Sequence, residues 1–181
     1  MNPSLPIIDL VVLLLYAVPP SRMLDRGFGE LLLAIHVAYL GPSIGFLLQA
    51  GVYHFLLNTS TVPLTLLLLA TYLVLDLPTY AEDLKYERTN LVMRLGWENA
   101  LRLHHGLLLA AYLLLGTSML SGYSFALLAP AFLAVPFAAL QWRFLHNIAL
   151  GARPIWSLLT ANAVAVFGLT TYFLALSFWL R

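Results

Sequence analysis

Asp76-Leu-Pro-Thr-Tyr-Ala-Glu-Asp-Leu-Lys-Tyr-Glu-Arg-Thr-Asn-Leu-Val-Met-Arg-Leu-Gly96 is an island of charge in an oily chain. Six Asp, Glu, Lys or Arg residues lie from Asp76 to Arg88, Arg94 follows, and the stretch opens directly from the end of an apolar run. Charge inside a bilayer is expensive, so such a cluster marks where a membrane protein meets water or does chemistry.

The rest of the chain sets the class. With 61% hydrophobic and only 9% charged residues it reads as an integral membrane protein. It has no cysteine, which excludes disulfides and thiolate metal sites. A formal charge of +1 gives no electrostatic reason for a nucleic-acid partner. Met1-Asn-Pro-Ser-Leu-Pro6 lacks a basic leader region and a small-residue cleavage site, so the first apolar run is expected to be retained.

Six apolar segments follow, near 5–18, 29–50, 62–78, 100–120, 124–143 and 154–180. Crossing the hydrocarbon core takes roughly 20 apolar residues, so 62–78 is tight and 5–18 is short. Pro6 and Asp9 weaken the first segment further, and predict that it is tilted, interfacial or covered by a partner. Breaks are expected at Pro19-Pro20-Ser21, from Gly51 to Thr61, from Gly116 to Gly122 and from Gly151 to Pro154. No linker divides residues 1–181, which predicts an all-α membrane protein folded as a single transmembrane bundle.

Eight of the nine basic residues fall in alternate connections: Arg22, Arg26, Lys85, Arg88, Arg94, Arg102, Arg143 and Arg153. The positive-inside rule places those charged loops in the cytoplasm of an inner (cytoplasmic) membrane. Six crossings then put both termini on the outer side.

The quoted stretch resembles the second aspartate-rich loop of the UbiA family of intramembrane prenyltransferases. That loop reads roughly acidic/Asn-Leu/Phe-Pro-Asp-Tyr-Glu-x-Asp-Arg-x-x-Gly-Lys-Arg-Thr-Leu-x-Val-Arg-Leu-Gly. Leu77, Pro78, Tyr80, Asp83, Leu91, Arg94, Leu95 and Gly96 fall on matching positions without a gap. Thr79 stands where the family has its first aspartate, Ala81 replaces an acidic residue, Leu84 replaces Arg, and Glu87-Arg88 replaces Gly-Lys. A second stretch, Ala17-Val-Pro-Pro-Ser-Arg-Met-Leu-Asp-Arg-Gly-Phe-Gly-Glu-Leu31, is similar to the family's connection between its fourth and fifth helices. The resemblance implies that the six segments correspond to the last six of nine helices. The first three helices and the first aspartate motif, Asn-Asp-x-x-Asp-x-x-x-Asp, have no counterpart in this sequence.

Family members ionise an allylic diphosphate whose leaving group is neutralised by Mg²⁺ between two aspartate clusters, helped by basic side chains. What the resemblance leaves here is a vestigial motif: Asp76, Thr79, Asp83, Arg88 and Arg94, with Asp83 and Asp76 the residual Mg²⁺ ligands. Glu82 adjoins Asp83 directly, so on a helix the two point about 100° apart. Arg88 and Arg94 read most simply as cytoplasmic anchors, and Asp9 as an interfacial group or a contact to another subunit.

Among the histidines, His36 lies deepest in an apolar segment and is the candidate axial ligand for a haem or chlorin pigment; the plainer reading is a hydrogen bond to a neighbouring helix. His104, His105 and His146 are expected at the cytoplasmic rim. Gly41-Pro-Ser-Ile-Gly45 is a small-xxx-small pattern suited to close helix packing or to shaping a lipid cavity.

These readings predict a UbiA-like accessory or structural subunit of a larger membrane complex without catalysis of its own. It is expected to hold a quinone, pigment or lipid, with lipids or other subunits covering the flank of the missing helices. The alternative is one part of a split prenyltransferase, transferring a polyprenyl group from an allylic diphosphate to an aromatic acceptor.

Overall fold

The structure, a computed structural model, describes residues 4–18, 23–52 and 54–180, and those residues form helices and turns without a strand. The breaks read at Pro19, Pro20 and Ser21, the loop charge of Arg22 and the terminal Arg181 lie outside the described residues.

Five helices are long and apolar enough to cross a membrane: α2 (Gly29–Ala50), α3 (Phe55–Lys85), α4 (Trp97–Leu120), α5 (Phe125–Ala149) and α6 (Trp156–Trp179). Before them comes α1 (Ser4–Ala17), apolar but only 14 residues long. At 1.5 Å per residue α1 extends about 21 Å, against a hydrocarbon core of about 30 Å. It runs antiparallel beside the first part of α2: Asp9 bonds to His36, and the Tyr16 ring comes to 3.5 Å from where a Cβ on Gly29 would sit.

The predicted segment 62–78 is longer than its apolar run. It begins at Phe55, because the polar turn Asn58–Thr61 is helical rather than a loop. The hydroxyls of Thr59, Ser60 and Thr61 donate back to the carbonyls of Phe55, Leu56 and Leu57, which satisfies them inside the helix. Pro63 sits within it, tolerated where the surrounding helices and hydroxyls absorb the missing N–H. The break that does form is short. Gly51 takes a left-handed φ of +70°, and the imidazole of His54 then accepts the Leu56 N–H at 3.1 Å to start α3.

α2 is not uniformly α-helical. His36–Leu40 form a π turn, and the N–H of Gly41 bonds to the carbonyl of His36. Pro42, with no N–H for the carbonyl four residues earlier, lies just beyond it, which is why the ladder slips by one residue.

α3 is the central helix. Its Leu67, Ala70, Leu73 and Val74 are buried with Ala34 of α2, Leu108 and Ala111 of α4, and Ala163 and Val166 of α6. The distribution of polarity is inverted relative to a water-soluble domain. Ile7, Ile8, Leu10, Val11, Leu109 and Leu113 are exposed, while Gln141, Asn162 and Thr170 are buried. These three pair across helices: Asn162 Nδ2 donates to Gln141 Oε1 at 2.6 Å and to the Phe137 carbonyl at 3.0 Å, and Tyr112 and Thr170 share a 3.0 Å bond. A lipid solvent accounts for this pattern; water does not.

Consecutive long helices alternate in direction. At one end Phe55 stacks on Tyr123 and Ser177 bonds to the Leu127 carbonyl. At the other end lie Arg26, the stretch from Asp76 to Arg102, and the connection around Arg153.

Candidate functional site

The charged end is built from two loops that are stitched together. Thr89 donates its hydroxyl to the Asp25 carbonyl, and Arg94 donates to the Arg26 carbonyl at 3.2 Å. The Arg94 guanidinium also lies 4.2 Å above the Phe28 ring. Gly27 makes the approach possible. Its φ is +74°, and a Cβ there would stand 2.8 Å from the Asn90 carbonyl oxygen.

Within this rim Asp83 is nearly buried, at 6% exposure. Its Oδ2 accepts from the Thr79 hydroxyl at 2.8 Å and from Asn90 Nδ2 at 3.0 Å. Arg88 stands 3.9 Å from Oδ1, with a guanidinium that is 74% exposed. Asn90 works in both directions, because its Oδ1 caps the one-turn helix Leu91–Leu95 by accepting the Met93 N–H at 2.8 Å. Asp83 is therefore the clasp of the loop that joins α3 to α4. Thr79 serves that clasp as a donor. Glu82 is exposed while Asp83 is buried, as the 100° step between neighbouring helix positions requires.

Asp76 has a different partner, one that sequence reasoning missed. The Glu30 carboxyl, from the first turn of α2, lies within hydrogen-bonding reach of Asp76, with Asp83 the next charge nearby. Glu30 Oε2 and Asp76 Oδ2 are each enclosed without a hydrogen-bond partner. Two carboxylates held together repel unless a proton or a cation lies between them. The available signal was the run Arg26-Gly-Phe-Gly-Glu30, which places an acidic residue at the start of a helix on the charged side. Among the described residues no group of three or more Asp, Glu or His side chains is arranged to hold a metal.

Glu87 has a φ of +53°, and no other non-glycine described residue is in the left-handed region.

The structure separates the histidines. His36 Nδ1 lies 2.6 Å from Asp9 Oδ1, so Asp9 has a partner within the chain. His104 is 2% exposed, its ring turned into the bundle from α4, with Nδ1 unpartnered. His105 packs its ring 4.1 Å from Trp142 and, with His146, lines a cavity of about 360 Å³ between α4 and α5. Gly41 and Gly45 bring no second helix close; a Cβ on Gly45 would meet nothing within 4 Å.

Comparisons of the chain with family models, with curated proteins and with solved structures found no match.

Proposed function

We propose that this chain is a UbiA-like membrane bundle that acts without catalysis, as an accessory or structural subunit of a larger membrane complex. The observation that carries this reading is Asp83. The carboxylate that the resemblance makes a Mg²⁺ ligand is committed to Thr79 and Asn90 as a loop clasp. The left-handed conformation of Glu87, at the family's glycine position, supports descent from a loop of that type. The exposed apolar faces of α1 and α4 are the surfaces that lipids or neighbouring subunits would cover. In this reading the charged rim faces the cytoplasm of an inner membrane and the end of α6 lies outside. α1, antiparallel to α2, directs its first residues toward the outer side as well. A bound quinone, pigment or lipid would occupy the apolar surface.

One observation favours the split prenyltransferase as a second reading. Glu30 and Asp76 face each other with an unpartnered oxygen apiece, and Mg²⁺ bound to a diphosphate needs only one or two protein carboxylates. A second chain would have to bring the other aspartate cluster.

Both readings are tested with the full chain in nanodiscs, several allylic diphosphates, aromatic acceptors and Mg²⁺. No turnover alone, together with native mass spectrometry showing other subunits bound, is the expected result. Turnover that disappears in Asp83→Asn would overturn the non-catalytic reading. Turnover only on adding a second chain that carries Asn-Asp-x-x-Asp would establish the split enzyme.

A further inference from the structure

α4 and α5 do not close on each other along their exposed side. Two cavities open in the seam between them, one of about 360 Å³ beside the charged rim and one of about 370 Å³ further along the helices. Glu98, Arg102, His105 and His146 line the first. Leu109, Tyr112, Ala138 and Ala139 line the second. The rings of His105 and Trp142, 4.1 Å apart, stand where the two meet. Residue spacing joins them into one furrow, because Glu98, Arg102, His105, Leu109 and Tyr112 follow at steps of three or four along a single helix face. Leu108 and Ala138 are buried at its floor, while Leu109 and Ala139 are exposed on its walls.

The furrow has the length and polarity of one leaflet. Tyr112 lies fourteen residues beyond Glu98, about 21 Å, and half of a bilayer with its headgroups is about 20–22 Å. The rim end carries both signs of charge. Arg102 reaches Glu98 at 3.3 Å and Asn99 at 3.4 Å, both on its own helix and both longer than the about 2.7–2.9 Å of a strong charge-assisted bond. The Arg102 and Glu98 side chains are 75% and 81% exposed, so the pair is weak and each member is open to another charge. Further in, the Trp142 indole N–H has no acceptor among the described residues, and the residue is 43% exposed. An indole at this level offers a donor to the ester carbonyls of a lipid.

We propose that the α4–α5 furrow binds one phospholipid with a primary-amine headgroup. Its phosphate lies on Arg102, its ammonium on Glu98, an ester carbonyl at the Trp142 indole and an acyl chain along Leu109 and Ala139. The amine follows from Glu98, which repels a head bearing phosphate alone and finds no N–H to accept from a choline head. The assignment rests on the charged rim lying in a headgroup layer. It rests neither on the prenyltransferase resemblance nor on the accessory-subunit reading.

The test titrates the full chain, delipidated in detergent, with phosphatidylethanolamine, phosphatidylcholine and phosphatidylglycerol of identical acyl chains, and counts bound lipid by native mass spectrometry. One saturable phosphatidylethanolamine per chain is expected, held about 3–5-fold more tightly than either of the others. Glu98→Gln should abolish that preference while leaving phosphatidylcholine binding unchanged, an effect that a packing role would not produce. Arg102→Gln should weaken all three about 10-fold. Ala139→Leu, which fills the inner cavity and leaves the charged pair intact, should weaken all three as well. Each variant alters an exposed residue, and an unchanged melting midpoint verifies that it folds. Non-saturable uptake, equal for the three lipids, would mark an annular layer only and overturn the assignment. So would tighter binding of phosphatidylglycerol, or an unaltered preference in folded Glu98→Gln.

Discussion

Replacing Asp83 separates a loop clasp from a metal ligand. Asp83→Ala removes the acceptor for Asn90 Nδ2 in a nearly buried setting, and a hydrogen bond to a charged acceptor contributes about 1.5–3 kcal/mol. Thr79 loses less, because its hydroxyl also reaches the Asp76 carbonyl at 3.1 Å. The Arg88 pair, at 3.9 Å with an exposed guanidinium, adds under about 1 kcal/mol. The expected destabilisation is about 2–4 kcal/mol, which for a chain of this size lowers the thermal midpoint by about 4–16 °C. Asp83→Asn keeps the shape and one acceptor oxygen, and should lose only about 1 kcal/mol. Thermal unfolding in nanodiscs measures the first quantity, and hydrogen exchange over residues 77–96 shows where the loss falls. Both variants should speed exchange in that loop. If Asp83→Ala left midpoint and exchange unchanged while abolishing Mg²⁺ binding measured by calorimetry, Asp83 would be a ligand and the clasp argument would fail.

Gly27→Ala should destabilise by about 2 kcal/mol or more, since its φ is positive and its Cβ would strike the Asn90 carbonyl; accelerated proteolysis within 23–29 would report the opened seam. Glu87→Gly should raise stability by about 0.5 kcal/mol, because relief of the left-handed penalty outweighs the added chain entropy; a lowered melting midpoint would contradict this. Asn162→Ala should cost about 1–2 kcal/mol by stranding Gln141, whereas the Asn162→Leu/Gln141→Leu pair should recover most of the loss in denaturant titrations. The chain has no cysteine, so single cysteines report sidedness cleanly. Lys85→Cys and Arg153→Cys should resist an impermeant reagent in intact cells while Val52→Cys and Ser121→Cys react, and labelling at position 85 would reverse the orientation.

Much of the architecture was legible where punctuation is strong. Gly29 and Gly51 bracket α2, and the predicted segment 29–50 coincides with it. The start of α3 was hidden because Asn58-Thr-Ser-Thr61 has loop composition; composition does not show that the three hydroxyls fold back onto carbonyls of their own helix and so need no loop to satisfy them. α1 was legible as short but not in its placement beside α2. The Asp9–His36 bond joins residues 27 positions apart, and no local rule announces it. In the rim, the stepping of Glu82 away from Asp83 followed from helix geometry alone. The partners Asn90 and Glu30 did not, because the first depends on how the loop after α3 folds back on itself and the second on how the starts and ends of two helices meet.

The Asn162–Gln141 bond also determines which of many equivalent packings is adopted. In lipid, the apolar face of one helix matches another at several axial offsets, because sliding past a neighbour exchanges one hydrocarbon contact for another. A shift of a single turn, about 5.4 Å, would carry the amide of Asn162 away from both Gln141 and the Phe137 carbonyl and leave three polar groups in oil. The pair thus acts as an indexing pin for the last two helices. Its greatest consequence falls during insertion, when α5 and α6 find each other in the membrane and every docking misaligned by a turn lacks this bond.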